Sequence, residues 1–301
     1  MEFRAREDAP AWFRRALDVR YEDRNVIVND ANVHYLLWGE VGAPGLVFVH
    51  GGGAHAHWWT HVVAQFADRY RVAAVDLTGH GDSDHSERYS MAGWAEELMA
   101  VAGDIGCEGA PVVVGHSMGG FVTIVTAAMH GRRLAGVIVC DSPVNRPDPE
   151  VDAARAGKAF GRPRVYPDVN TALERFRTVP EQRHYEPFVM DHVARHSLRP
   201  VAGGFTWKFD RNVFGAGEHP RTAARPHMSA VRTRLALLAS EYGLVTPEVG
   251  RYMYDQLGRV APVIELPQAG HHPMLDVPLV LLTAIRTLLA DWEHSVPFTR
   301  D

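Results

Sequence analysis

The sequence is poor in cysteine, with two residues, Cys107 and Cys140, among 301. Two cysteines are too few for a disulfide framework, and they lack the paired spacing of a zinc site. Both stand beside apolar runs, so we interpret them as buried, unreactive thiols. The sequence therefore predicts neither a disulfide-stapled scaffold nor a cysteine-based metal centre.

Long hydrophobic runs and an excess of positive charge are also missing. No stretch approaches the roughly 20 apolar residues of a membrane span, and residues 1–8 contain no apolar core of a secretory signal. The formal net charge of −5 gives no overall attraction to nucleic acid or to an anionic membrane. We therefore expect a cytoplasmic protein that binds a small-molecule substrate and has neither nucleic acid nor a membrane as a partner. A homodimer is a possible assembly.

Short β-rich runs alternate with longer helical patterns. Strands are predicted at 26–28 and 33–38, which form a hairpin, and at 46–49, 72–75, 112–114, 136–140, 235–239 and 263–266. Helices are predicted at 9–19, 91–105, 118–130, 247–257 and 278–292. Because several strands are apolar throughout, we expect a mostly parallel sheet covered by helices on both faces, which is the α/β class.

This alternation stops between residues 142 and 232. The stretch contains 10 of the 19 prolines, and its 15 Lys and Arg against 10 Asp and Glu give it a net charge of +5. We interpret it as an insertion between two strands of one sheet, with residues 1–141 and 233–301 forming the core domain. Its charge either attracts a substrate that bears a carboxylate or forms a solvated arginine-rich surface.

The strongest motif is Gly115-His116-Ser117-Met118-Gly119, which fits G-x-S-x-G between a predicted strand and a predicted helix. Small neighbours are needed because the serine stands on a sharp strand-to-helix turn that exposes its hydroxyl. Ser117 is therefore the candidate nucleophile. The backbone N–H of Met118, at the helix N-terminus, is a candidate donor to an oxyanion.

Glycines follow the strand at 46–49, in the run His50-Gly51-Gly52-Gly53. Such a run lets the backbone approach a ligand closely and offers N–H groups to developing negative charge. We assign the second oxyanion donor to Gly52, with Gly53 as the alternative.

A general base for Ser117 is sought among 17 histidines. His271 and His272 follow the last predicted strand, at the end of a parallel sheet where site residues gather. The spacing behind Ala269-Gly270 favours His271, and His272 is the alternative.

Together these motifs resemble the α/β-hydrolase superfamily over about residues 26 to 292. Besides the glycine run, the serine motif and Gly270-His271-His272-Pro273, they include the segment from Asp76 to Ser83. The sequence looks most like the small esterase and C–C-hydrolase branches of that superfamily. The resemblance implies that residues 142–232 form a mainly helical cap, or lid, and that Asp76, Gly79, His80 and Gly81 shape a structural turn.

The sequence departs from the family pattern at the catalytic acid. Family members usually carry an aspartate a few residues after the strand that corresponds to 235–239, where this chain has Gly243. Two carboxylates are the substitutes. Asp141 follows the strand at 136–140 directly, whereas Glu241 precedes the usual position by two residues. We favour Asp141, because triads are defined by geometry and not by sequence position; its alternative role is that of a turn or cap residue.

Aromatic residues suggest where a substrate would lie. The predicted insertion contains Phe205, Trp207, Phe209 and Phe214, and His57 and Trp58 follow the glycine run. These side chains either line an apolar pocket or pack between core and insertion. The candidate substrate-binding residues are Gly53, His57, Trp58, His116 and Trp207.

The predicted reaction is hydrolysis of a carboxylic ester in two acyl-transfer steps, with no metal or organic cofactor. A C–C bond hydrolase or a lactonase would use the same serine and histidine. Epoxide hydrolysis is disfavoured, because it needs a carboxylate at position 117. A protein that binds ligands with little turnover is the alternative of another class, since Gly243 replaces the usual acid.

Overall fold

An eight-stranded sheet organises the residues that the computed structural model describes, which are 6–146, 164–214 and 220–295. The strands are β1 (Glu22–Val28), β2 (Ala31–Trp38), β3 (Pro44–Val49), β4 (Arg71–Val75), β5 (Glu108–His116), β6 (Gly136–Cys140), β7 (Leu198–Val201), β8 (Gly204–Trp207), β9 (Leu235–Tyr242) and β10 (Val263–Gly270). The main sheet has the order β1-β2-β4-β3-β5-β6-β9-β10, and β7 and β8 form a separate hairpin.

All strands of the main sheet except β2 run in one direction, since β2 pairs antiparallel with β1 and with β4. The parallel register aligns Val47 of β3 with Ala73 of β4 and with Val113 of β5. The carboxyl ends of the central strands therefore meet at one edge of the sheet, where ligands bind in open α/β folds. The predicted α/β architecture is confirmed.

Helices cover both faces of the sheet. They are α1 (Ala11–Leu17), α2 (Thr60–Val63), α3 (Met91–Asp104), α4 (Met118–His130), α5 (Val169–Leu173), α6 (Pro187–His196), α7 (Pro220–Ala224), α8 (Pro247–Gln256), α9 (Pro273–Asp276) and α10 (Pro278–His294). Strand β3 shows how the two faces divide: Val47 packs with α3 and α4, whereas Phe48 packs with α10. Alternation of side chains along a strand fully buried on both faces explains its unbroken apolar sequence.

The segment between β6 and β9 differs from the sequence-based expectation in one respect. The family resemblance implies a mainly helical segment, yet β7 and β8 pair antiparallel within it. The two-residue connection Ala202-Gly203 explains the hairpin, because Gly203 (φ +85°) and Gly204 (φ +143°) adopt backbone angles that other residues rarely take. The boundaries at 142 and 232 remain predictions, and residues 147–163 lie outside the described part.

The two cysteines differ in burial. Cys140 is fully buried in β6, which raises the pKa of its thiol, whereas Cys107 is only partly buried. Burial also raises the pKa of Cys107. Both thiols are therefore protonated near neutral pH, and the expectation of buried residues holds fully for Cys140 alone. None of the helices in the described ranges is long and apolar enough to cross a membrane.

Candidate active site

Ser117 stands on a tight turn between β5 and α4. Its backbone angles, φ 52° and ψ −116°, lie in a region that non-glycine residues rarely adopt. The neighbouring glycines permit the turn: a Cβ on Gly119 would lie 2.4 Å from the carbonyl oxygen of His50, and one on Gly115 would lie 2.2 Å from Oγ1 of Thr123. The pattern G-x-S-x-G is thus needed for packing at both of its outer positions.

His271 follows β10 and is buried, at 4% exposure. Its Nε2 lies 3.0 Å from Oγ of Ser117, which is hydrogen-bonding distance. Nε2 of His116 donates to the backbone carbonyl of His271 at 2.7 Å. Burial lowers the pKa of His116 to about 3, so this ring stays neutral and fixes the loop that holds His271.

The alternative histidine, His272, does not occupy this position. Its backbone N–H donates to Oε1 of Gln182 at 2.7 Å, and its ring packs 5.3 Å from that of Trp58. The structure therefore brings His271, and not His272, to Ser117.

Asp141 completes a chain of contacts behind His271. Its Oδ2 lies 2.6 Å from Nδ1 of His271. The carboxylate, which is fully buried, also accepts the backbone N–H groups of Leu244 at 2.8 Å and Val245 at 3.2 Å. These donors stabilise a buried negative charge that would otherwise be costly.

Glu241 lies elsewhere. Its carboxylate is exposed and accepts the backbone N–H of Gln268 at 2.7 Å. The structure thus brings Asp141, and not Glu241, to His271. The reason is local: Glu241 belongs to the end of β9 and faces the irregular stretch of β10 between Leu266 and Gly270.

Gly243 occupies the position where family members usually carry the catalytic aspartate. A Cβ on Gly243 would lie 2.4 Å from Oδ1 of Asp141. The carboxylate of Asp141 therefore fills the space that a side chain at position 243 would enter. An acid on β6 and an aspartate after β9 are alternatives that exclude one another here.

The predicted oxyanion donors lie beside Ser117. A Cβ on Gly51 would lie 3.3 Å from Cβ of Ser117, so the glycine turn after β3 packs directly on the serine. Gly52 and Gly53 share a cavity with Ser117. Met118 is the first residue of α4, so its N–H has no acceptor within the helix. The arrangement suits the binding of an oxyanion by backbone groups.

Comparison with known proteins places this geometry in a family. The model of the alpha/beta hydrolase family matches residues 46–284. The chain belongs to this family. It is 27% identical to esterase Rv0045c of Mycobacterium tuberculosis over 264 residues, covering 84% of this chain and 85% of that protein.

Other similarities are more limited. The chain is 31% identical to mouse (Mus musculus) epoxide hydrolase 4 over 121 residues, which span 39% of this chain and only 32% of that protein. The crystal structure of E-2-(acetamidomethylene)succinate hydrolase superposes with a TM-score of 0.77 at 20% identity, covering 90% of this chain and all of that one. The latter similarity concerns the fold alone.

The cavity of this α/β hydrolase has a volume of about 510 Å³ and opens onto Ser117. Four of the predicted substrate-binding residues line it: Gly53, Trp58, His116 and Trp207. Trp207 packs in the same wall against Phe176, with ring centroids 5.6 Å apart. Its volume lies within the range of small-molecule sites.

The structure does not place every predicted residue in the cavity wall. His57 is not among the residues that line the cavity, whereas His55 is, because the single helical turn at Ala56–Trp58 directs His57 toward α6. Phe209 lines the cavity but Phe205 does not; the backbone of Phe205 pairs with Tyr166. The side chain of Phe214 lies outside the described part of the structure.

Four cations in the cavity wall were not singled out from the sequence, and all come from the segment between β6 and β9: Arg164, Arg175, Arg177 and Lys208. Lys208 pairs with Asp82, while Arg177 donates to the backbone carbonyls of Glu174 and Phe176. No carboxylate lines the cavity among the residues described. The wall opposite Ser117 is therefore positively charged.

Residues 76–83 have the structural role that the family resemblance implies. The buried carboxylate of Asp76 accepts the backbone N–H groups of Ala56 at 2.6 Å and Asp82 at 2.9 Å. A Cβ on Gly81 would lie 2.1 Å from Oδ2 of Asp76. This turn supports the segment after the glycine run without reaching the cavity.

Proposed function

We propose that this chain is a serine hydrolase that cleaves a small carboxylic ester through an acyl-enzyme on Ser117. The observation that carries the proposal is the chain of contacts from Ser117 to His271 (3.0 Å) and from His271 to Asp141 (2.6 Å). A nucleophile, a base and a group that orients the base stand in the order and at the distances that acyl transfer requires.

In the first step, Oγ of Ser117 attacks the ester carbonyl while Nε2 of His271 takes its proton. The resulting oxyanion is held by the N–H groups of Met118 and Gly52, each worth on the order of 3 kcal/mol in the transition state. His271 then protonates the leaving alcohol, and the acyl group stays on Ser117. Asp141 holds the imidazole in one tautomer and stabilises its charged form.

In the second step, water attacks the acyl-enzyme. His271 takes a proton from the water and returns it to Oγ of Ser117 as the carboxylic acid leaves. This step restores the starting state without any cofactor. The contact of Asp141 with His271 also weighs against the ligand-binding alternative. That alternative depends on a missing catalytic acid, and Asp141 can supply the acid that position 243 lacks.

We further propose that residues 142–232 act as the cap over this site. In support, one wall of the cavity comes from the turns after β3 and β5, and the facing wall includes Trp207 and Phe209 from this segment. A cap of this kind excludes water and shapes the pocket for the substrate.

The cations of the cap favour an ester that carries a carboxylate. A cavity wall with an excess of one sign of charge attracts an oppositely charged substrate. KM for a neutral ester and for its acidic half-ester, measured at low salt, tests this preference. We expect a lower KM for the half-ester, with Arg175→Gln removing part of the difference. Equal values for the two esters would contradict it.

A C–C bond hydrolase is the second candidate, because the same cations suit the acidic vinylogous diketones that such enzymes cleave. Turnover of a ring-cleavage dienoate without ester turnover would favour it. Epoxide hydrolysis remains disfavoured despite the partial similarity to epoxide hydrolase 4, since residue 117 is a serine and not a carboxylate.

Turnover of p-nitrophenyl esters of graded chain length, with Ser117→Ala as the matched variant, tests the ester hydrolase proposal. We expect hydrolysis by the wild type and its loss in the variant, and the chain-length profile measures the pocket. Hydrolysis that survives in Ser117→Ala, or no hydrolysis of any ester, would contradict the proposal.

A further inference from the structure

Three histidines outside the cavity converge at the junction between core and cap. Ring nitrogens of His57, His192 and His196 all lie within 4.8 Å of one another. His57 belongs to the single helical turn at Ala56–Trp58, and the other two stand four residues apart on α6. Residues at this spacing share one face of a helix, so both imidazoles of α6 can face His57.

Two of the rings are held by a contact at Nδ1. Nδ1 of His57 lies 3.2 Å from Oγ1 of Thr60, and Nδ1 of His196 lies 2.8 Å from the carbonyl oxygen of His192. In histidine ligands of metals, the second ring nitrogen is usually held in this way by a backbone or side-chain oxygen.

His192 supplies the most informative atom. Its Nε2 is buried and has no hydrogen-bond partner among the described residues. Buried polar atoms are nearly always satisfied, so an orphaned imidazole nitrogen next to two other imidazoles needs an explanation.

The charge around the cluster also allows a metal to bind. The nearby ammonium of Lys208 pairs with Asp82, which reduces its repulsion of a cation.

We propose that His57, His192 and His196 form a binding site for a divalent transition metal such as Zn²⁺, with the Nε2 atom of each ring as ligand. Zinc binds imidazole at about 2.0–2.1 Å in tetrahedral geometry, and three histidines leave a fourth position for water. The ring nitrogens, which now lie within 4.8 Å of one another, would have to move closer by side-chain rotation to reach that geometry. The site departs from the expectation of no metal, because His57 lies far in the sequence from the pair His192 and His196.

A metal here would join the turn after β3 to helix α6 of the proposed cap. The neighbouring residues His55 and Ser197 both line the cavity, and Nε2 of His55 lies 2.8 Å from Oγ of Ser197. The site therefore adjoins the cavity wall while its own ligand His57 stays outside it. Binding of the metal does not depend on the esterase proposal.

The test is titration of the full chain, freed of metal with a chelator, with Co²⁺ followed by visible absorption and with Zn²⁺ followed by calorimetry. We expect one ion per chain, an increase in Tm with Zn²⁺, and binding at least about tenfold weaker in His192→Gln and in His196→Gln. His130→Gln is the control. The ring of His130 pairs with Glu96 and belongs to helix α4, away from the cluster.

His196→Gln keeps the test decisive if His192→Gln does not fold. His196 is only half-buried, so its variant can be assessed alone. A second cluster, His116, His271 and His272, also has ring nitrogens within 4.8 Å. Binding that is lost in His272→Gln but unchanged in His196→Gln would assign the metal to that cluster and overturn the proposal. No binding of either ion by folded wild-type protein at millimolar concentration would overturn it as well.

Discussion

The two walls of the cavity are built differently. On the core side, Ser117, Asp141 and His271 stand directly after β5, β6 and β10, and backbone hydrogen bonds fix their positions. On the other side, Trp207 and Arg175 come from a short hairpin and a loop between β6 and β9, and Arg175 is exposed. The sheet thus holds the groups proposed for chemistry, whereas the inserted segment holds those proposed for recognition. Substitutions at strand ends should therefore lower kcat, and substitutions in the inserted segment should change KM.

The largest effect is expected at His271. Replacement by Ala removes the proposed base and should lower kcat by about 10⁶-fold, the scale measured when a triad histidine is lost. His272→Ala should lower it far less, because that ring does not contact Ser117. Steady-state kinetics on one p-nitrophenyl ester compares the two, with circular dichroism to verify folding. Similar losses in both variants would break the assignment of the base.

The two carboxylates near the strand ends should differ next. Asp141→Asn keeps the shape of the side chain but disturbs the tautomer of His271, so kcat should fall by about 10⁴-fold. Glu241→Gln changes an exposed group, and its kcat should stay within about twofold. If the two results were reversed, Glu241 would be the acid in solution.

A substitution at Gly243 tests whether the position of the Asp141 carboxylate matters for the rate. Gly243→Ala places a methyl group against Oδ1 of Asp141, where it would displace the carboxylate from His271. A displacement of about 1 Å can cost about 100-fold in rate, so kcat should fall by that order.

The matched variant combines Asp141→Gly with Gly243→Asp, which moves the acid to the usual family position. This double variant should be more active than Asp141→Gly alone. No recovery would show that the end of β9 cannot position a carboxylate on His271.

The smallest effect is expected in the cap. Trp207→Ala removes an aromatic ring from the cavity wall, and a loss of about 1.4 kcal/mol in binding would raise KM by about tenfold. The kcat value should change little, and the preferred chain length should increase because the pocket is larger. Kinetics across the p-nitrophenyl ester series measures both. A large fall in kcat with KM unchanged would contradict the division between the two walls.

The sequence predicted the sheet for a physical reason, and the structure brings the predicted residues Ser117, His271 and Asp141 together at the strand ends. Apolar strands, glycines at close approaches and a serine on a strained turn each leave a local pattern, as at Gly115 and Gly119. Helix α4 has the predicted bounds, Met118–His130. The choice between Asp141 and Glu241 could only be ranked, because it depends on which strand end faces His271 in space.

The structure of the segment between β6 and β9 was harder to predict. Its hairpin β7–β8 is short and contains Pro200, which weakens the strand signal, although Gly203-Gly204 marked the turn. The exchange of His57 for His55 in the cavity wall depends on one helical turn at Ala56–Trp58, which no periodicity reveals. The histidine cluster joins residues distant in the chain, so only folding brings it together.

The most direct test of the central claim is labelling of the folded protein with a fluorophosphonate, followed by mass spectrometry of the peptides. Such a probe forms a covalent bond with a serine that a neighbouring base activates. We expect one adduct, on Ser117. Labelling should be much slower in His271→Ala and absent in Ser117→Ala. An adduct on another residue, or a rate of labelling that does not depend on His271, would contradict it.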